Sequence, residues 1–143
     1  MCGIAGLVLS PDAPPPDPAV IAALGRSIAH RGPDGAGHTM VGRVVLVHNR
    51  LSIIDLATGH QPLFAGPAAL VANGEVYNYR ELRAAMPEVA FASHSDCEPP
   101  LHLWLREGPA CVSRLRGMYA IAIHDRASRT VTLTRDPFGI KPL

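Results

Sequence analysis

A cysteine stands second in the chain. Once Met1 is removed, Cys2 carries a thiol and a free α-amine on one residue. The thiolate is a strong nucleophile, and an α-amine has a pKa of about 7.7, close to working pH. One residue can then supply both nucleophile and general base, the logic of N-terminal nucleophile catalysis. A cysteine that merely follows the start codon is the ordinary alternative, so the rest of the chain decides. Arg50 follows a β-rich run and precedes the apolar Leu51-Ser52-Ile53-Ile54. Its guanidinium can hold a carboxylate through two parallel hydrogen bonds, or form a surface ion pair. The Asn73 amide and the Gly74 N–H make a reasonable oxyanion pair, although Asn-Gly is also a common hairpin turn. Asp96, after Ser95, can bind an ammonium group or cap the helix that follows. Taken together, a thiol, an arginine, an oxyanion pair and an aspartate form a set suited to an α-amino acid with a side-chain amide. Arginine would take the α-carboxylate, aspartate the α-ammonium, and the thiol would meet the amide carbon. That substrate is glutamine.

These residues need a scaffold, and 143 residues suffice for one domain with a core. Residues 3–9 read as a buried apolar strand that carries Cys2 at its start. Residues 10–18 hold five prolines in nine positions and form an extended loop. Asp17 followed by Pro18 is an N-cap with proline at the first helical position, and Val20, Ile21, Leu24 and Ile28 then share one helix face. Residues 31–35 form a turn. Residues 43–48 and 51–56 read as β-rich runs, and 68–72 as a short strand closed by Asn73-Gly74. Helices are expected at 79–86 and across 101–106, the second ended by Gly108-Pro109. Residues 118–124 and 130–134 read as a hairpin. Hairpin strands with separate helices imply an α+β fold with largely antiparallel sheet.

Composition narrows the partners. Thirteen basic residues against twelve acidic ones, with no basic run, argue against nucleic acid. The apolar stretches are too short for a membrane span, and the N-terminus has no signal-peptide pattern. Three cysteines without CxxC spacing point to a reducing compartment, hence a cytoplasmic protein. Seven scattered histidines lack metal-ligand spacing, so no metal is expected. Cys97 and Cys111 read as buried, inert thiols, and His48 as a packing or hydrogen-bonding residue.

The opening Met1-Cys2-Gly3-Ile4-Ala5-Gly6 resembles the class II glutamine amidotransferases, in the branch of glutamine-hydrolysing asparagine synthetases. The resemblance continues through His30-Arg31-Gly32-Pro33-Asp34-Gly35, Arg50-Leu51-Ser52-Ile53-Ile54-Asp55, Gly59-His60-Gln61-Pro62-Leu63 and Asn73-Gly74-Glu75-Val76-Tyr77-Asn78. Ser95-Asp96-Cys97-Glu98, Leu115-Arg116-Gly117-Met118 and the final Arg135-Asp136-Pro137-Phe138-Gly139-Ile140-Lys141-Pro142-Leu143 complete it in family order. It implies an N-terminal nucleophile hydrolase fold, a four-layer αββα sandwich with antiparallel sheets. It implies Cys2 as nucleophile, its α-amine as base, and Asn73 with the Gly74 N–H as oxyanion hole. Glutamine would be bound by Arg50 at its α-carboxylate, by Glu75 and Asp96 at its α-amino end, by backbone contacts of Leu51, Ser52, Ile53 and Ile54, and by Asn73 and Gly74 at its amide. No cofactor is implied for residues 1–143. ATP and magnesium belong to a synthetase domain that would receive the ammonia, and a homodimer of full-length proteins is compatible with the family.

Three departures from the family pattern bear on these expectations. His94 stands where glycine usually precedes the Ser-Asp pair, and histidine tolerates positive φ less readily. Pro99 and Pro100 follow Glu98, so regular helix should start near Pro99 with Asp96 in the preceding loop. The sequence stops where the family's amidotransferase domain adds further strands, which leads us to expect a sandwich incomplete at its C-terminus and without the synthetase domain. A non-catalytic remnant, or an ammonia donor for a carboxylate other than aspartate, are the alternatives to a glutaminase feeding asparagine formation.

Overall fold

The structure, a computed structural model, describes residues 2–143. Its seven strands are β1 (Gly3–Val8), β2 (Gly35–Val41), β3 (Val44–Arg50), β4 (Leu63–Ala65), β5 (Ala68–Val76), β6 (Gly117–Asp125) and β7 (Thr130–Arg135). They form two wholly antiparallel sheets, one ordered β1-β3-β2 and the other β4-β5-β6-β7. Helix α1 (Pro18–Ser27) packs on β3, while α2 (Tyr79–Ala84) and α3 (Glu98–Glu107) cover the four-stranded sheet. The result is the α+β arrangement of two antiparallel sheets with helices outside them.

The period of two along β5 makes this layering. Leu70, Ala72 and Val76 face the helices and join Leu101, Leu103, Trp104, Tyr119 and Ile121 in the larger core. Ala69 and Val71 face the other way and meet Val44, Leu46 and Ala122 between the sheets. Every residue of β3 is buried, because this central strand carries α1 on one face and the second sheet on the other. The face that bears Val44 and Leu46 continues to His48 and Arg50. His48 is the point where the two sheets are tied: its Nε2–H donates to the Ala72 carbonyl across 3.2 Å. Burial, with the Arg50 charge adding to it, pushes its pKa down to about 4, so the ring is neutral in this role.

Several local readings hold. The Asp17 carboxylate accepts from the Ala19 N–H and Pro18 opens α1. α3 begins at Glu98, with Pro99 and Pro100 in a first turn whose N–H groups have no intrahelical partner to lose, and Asp96 lies ahead of it. The hairpin of β6 and β7 is formed.

Others are corrected. Residues 51–56 are not a strand; they form a loop whose carbonyls turn toward Arg50. Asn73-Gly74 does not close a strand but lies inside β5, paired with Ala120 and Tyr119. β2 and β4 were not anticipated: Gly35-Ala36-Gly37 lacks a strand-like apolar pattern, and β4 has only three residues. β1 is not uniformly buried, since it is an edge strand with alternate residues exposed. His94 does not adopt positive φ, since Asp55 and Arg129 are the only non-glycine residues that do so among those described.

One buried charge organises the loop ahead of α3. The Glu98 carboxylate accepts from the Ala92 N–H at 2.7 Å, the Ser93 N–H at 2.8 Å and the Ser93 hydroxyl, and His102 Nε2 lies at 3.4 Å. Burial alone would raise its pKa, but the Ser93 hydroxyl and these N–H groups outweigh burial and hold it below the ordinary value. A carboxyl with a lowered folded-state pKa contributes stability that is fully present above its unfolded pKa and is lost as pH falls through the folded one. Glu98→Gln is therefore expected to cost on the order of 1.5–3 kcal/mol at pH 7. The difference from wild type should narrow below about pH 4. Denaturant unfolding at both pH values measures this, and an undiminished difference in acid would contradict it.

Candidate active site

The site forms where one end of each sheet meets two loops. Antiparallel pairing of Gly3 with Asn49 brings Cys2 beside Arg50 at the end of β3. The Cys2 thiol is held at the first residue of the following loop: Leu51 N–H lies 3.4 Å from Sγ, and Sγ lies 3.6 Å from the Leu51 carbonyl. Arg31 fixes the backbone of the same residue, its Nε–H donating to the Cys2 carbonyl at 3.1 Å.

The opposite wall is the outer edge of β5. Strand β4 pairs with only the first residues of β5, so the edge beyond Leu70 has no strand partner. The edge-facing N–H of Ala72 is taken by Gln61 Oε1 at 2.6 Å, and that of Val76 by Asp96 Oδ2 at 2.8 Å. Backbone groups of a strand alternate in direction, so the Gly74 N–H lies between these two and faces the same edge. Asn73 and Glu75 have the opposite side-chain parity to Ala72 and Val76, and point toward the first sheet's side. Among the described residues, none supplies a hydrogen-bond partner for the buried Asn73 Oδ1. Gly74 cannot carry a side chain, since a Cβ there would sit 2.6 Å from Tyr119 Cα and collide with the Met118 carbonyl.

Between these walls lies a cavity of ≈ 120 Å³. It is lined by Cys2, Arg50, Leu51, Ile53, Ile54, Asn73, Gly74, Glu75 and Asp96, nine of the ten residues the sequence nominates. Ser52 is the exception: it does not line the cavity, and its N–H donates outward to Asp34 Oδ2 at 2.7 Å. Gly59, Gln61, Ser95, Cys97, Met118 and Lys141 also line it. All six fall within the motifs that carry the family resemblance, but their residue types gave no reason to assign them a role.

The electrostatics divide the cavity in two. Arg50 is buried, and its guanidinium donates to the carbonyls of Ile54 at 3.2 Å, Leu56 at 3.4 Å and Asp55. A guanidinium has five N–H donors, so among the described residues these three bonds leave two. A Cβ on Gly59 would lie 2.6 Å from Arg50 Nη2, so glycine makes room for the charge. At the other end, burial pushes the Asp96 pKa up, and the negative charge of Glu75 pushes it further, against the Val76 N–H. Cys97 is fully buried, and burial raises its thiol well above the ordinary value, with Asp96 and Cys2 adding to the effect. Cys111 is likewise buried and pushed up to about 11, but outside the cavity. Among the described residues there is no group of three His, Cys, Asp or Glu side chains that could hold a metal ion. Among the described residues no helix is long and apolar enough to cross a membrane.

A family profile for the glutamine amidotransferase domain matches residues 1–143. Over 162 residues the chain is 43% identical to a putative asparagine synthetase (glutamine-hydrolyzing) of Mycobacterium tuberculosis, an alignment covering 100% of this chain and 25% of that protein. It is 38% identical over 147 residues to asparagine synthetase (glutamine-hydrolyzing) 2 of Bacillus subtilis, covering 100% of this chain and 20% of the relative. With an asparagine synthetase (glutamine-hydrolyzing) of Triphysaria versicolor the identity is 39% over 145 residues, covering 100% and 25%. The chain thus spans a quarter or less of the length of these relatives. With the same motifs lining one cavity between two antiparallel sheets, this chain belongs to the glutamine amidotransferase domain family.

Proposed function

We propose that the chain is a glutaminase domain that hydrolyses L-glutamine to glutamate and ammonia through a thioester on Cys2. The reading rests on one observation: Cys2, Arg50, Asn73, Gly74, Glu75 and Asp96, drawn from distant parts of the sequence, line a single cavity. After removal of Met1, the Cys2 α-amine takes the thiol proton as Sγ attacks the carboxamide carbon. The Asn73 amide and the Gly74 N–H stabilise the oxyanion. The proton passes to the leaving nitrogen, ammonia departs, and a γ-glutamyl thioester remains. Water then attacks the thioester, releasing glutamate and restoring the thiol. The remaining donors of Arg50 hold the α-carboxylate, and the paired negative charges of Asp96 and Glu75 hold the α-ammonium. Backbone groups of Leu51, Ile53 and Ile54 pack along the substrate, and Ser52 shapes the loop from outside.

The names of the relatives support a destination for the ammonia, namely an ATP-dependent synthetase domain that forms asparagine. ATP and magnesium act there, and the glutaminase step in residues 1–143 proceeds without a cofactor. The domain works in the cytoplasm.

Glutamate and ammonia release from glutamine tests the chemistry, with intact mass reporting the loss of Met1. Cys2→Ala is expected to abolish release, and Asn73→Ala to lower kcat by roughly 10²–10³-fold. Release that is independent of Cys2, or absent from a folded sample lacking Met1, would refute the proposal.

The raised Asp96 pKa supplies a second expectation. Protonation removes the charge that attracts the ammonium, so KM for glutamine should rise on acidification. The rise should set in above the ordinary carboxylate range of about 4. Asp96→Asn should raise KM at neutral pH and flatten this dependence. An unchanged pH profile of KM in that variant would argue against Asp96 as the ammonium ligand.

A further inference from the structure

The cavity is walled by two loops far apart in sequence. Loop 51–61 carries Leu51, Ile53 and Ile54 and gives three carbonyls to Arg50. Loop 92–97 carries Asp96. Neither loop contains regular structure to fix its distance from the other.

Asp55 joins them. Its backbone is at φ 54, a region that residues other than glycine seldom adopt. In that conformation its carbonyl accepts from Arg50, while its carboxylate faces the other way. Oδ1 accepts from the Thr58 N–H at 2.9 Å, and Oδ2 accepts from the Thr58 hydroxyl and, at 2.8 Å, from the His94 N–H. His94 is two residues before Asp96, whose Oδ2 is bonded to the Val76 N–H of β5. Two hydrogen bonds, from the Arg50 guanidinium to the Asp55 carbonyl and from the His94 N–H to the Asp55 carboxylate, therefore tie Arg50 to the backbone segment that carries Asp96. Burial would raise the Asp55 pKa, yet Thr58 and the His94 N–H hold it below the usual range, so the carboxylate is charged and the bonds are charge-assisted. The hydrogen bond uses the backbone N–H of His94, and the His94 side chain adds a favourable charge beside the carboxylate.

We infer that Asp55 is a positioning residue: it clasps the two loops and thereby sets the span between Arg50 and Asp96 across which the α-carboxylate and α-ammonium of glutamine must fit. This rests on the glutaminase reading above. It requires no contact between Asp55 and the substrate and no part for it in bond breaking.

The experiment compares glutamine kinetics of wild type, Asp55→Gly and Asp55→Asn, all lacking Met1. Glycine adopts positive φ freely, so Asp55→Gly removes the carboxylate while permitting the loop's backbone conformation. Asparagine also tolerates that region and keeps one acceptor oxygen. Asp55→Gly is expected to raise KM by about tenfold, the scale of one charge-assisted hydrogen bond, with kcat changed by less than about twofold. Asp55→Asn should lie between it and wild type. The rate of Cys2 alkylation by iodoacetamide should match wild type, and amide exchange should rise in residues 53–60 and 93–96 but not in β5 and β6. If Asp55→Gly fails to fold, the Asp55→Asn comparison alone carries the test. Wild-type KM in the folded variants, or a fall in kcat without a rise in KM, overturns the clasp while the glutaminase reading stands. Absence of Cys2-dependent turnover in wild type overturns both.

Discussion

The unpaired edge of β5 is the constraint on which this structure turns. A strand edge left open inside a protein exposes N–H groups that must find partners. β4 ends its pairing at Leu70, so Ala72, Gly74 and Val76 meet that demand without a strand. Gln61 satisfies the first and Asp96 the third. The middle one, on Gly74, faces the cavity. An oxyanion donor under this reading is therefore the backbone group that the short β4 leaves over. The same arrangement fixes Asp96, whose carboxylate is oriented by the Val76 N–H before any ligand arrives.

Holding the first sheet against this edge falls to β3. The contact of His48 with the Ala72 carbonyl spans the sheets one residue from Asn73. A charged imidazole there would be costly to bury, and its lowered pKa keeps it neutral at working pH. Two residues further along β3, on the same face, Arg50 remains charged, with backbone carbonyls to solvate it. Adjacent positions on one strand face thus carry a neutral ring and a charged guanidinium. Their different partners, a single carbonyl of the other sheet and a ring of loop carbonyls, account for the difference.

How legible this was from the sequence follows from which interactions are local. The Asp17-Pro18 start of α1 and the proline-delayed start of α3 depend on neighbours within one turn, and both were readable. The apolar run at 51–56 has strand-like composition, but Arg50 draws its carbonyls inward and Asp55 takes a positive φ, so tertiary electrostatics override propensity. Asn73-Gly74 reads as a turn by type, whereas the need for it comes from β6, where only glycine lets Met118 and Tyr119 approach. Nine of ten nominated site residues line the cavity because their motifs mark backbone and charge positions that the fold brings together. Ser52 lies off the cavity lining, and its N–H turns to Asp34.

The cavity holds two thiols, Cys2 and Cys97, and the proposed chemistry needs only one to react. Their environments separate them. Cys97 has no exposed surface worth the name, and ionising it would add a third negative charge beside Asp96 and Glu75. It stays protonated and directs Sγ toward Asp96 Oδ2, 3.7 Å away. Cys2 is only partly buried, sits against the Leu51 N–H and lies at the end of β3 that carries the Arg50 cation. The Cys2 sulfur faces the Leu51 N–H, while at Cys97 a negative charge would meet the Asp96 carboxylate. Under the proposed chemistry, selectivity between two identical functional groups in one small cavity then follows from their surroundings: Cys2 is only partly buried beside a backbone N–H, whereas Cys97 is buried against Asp96.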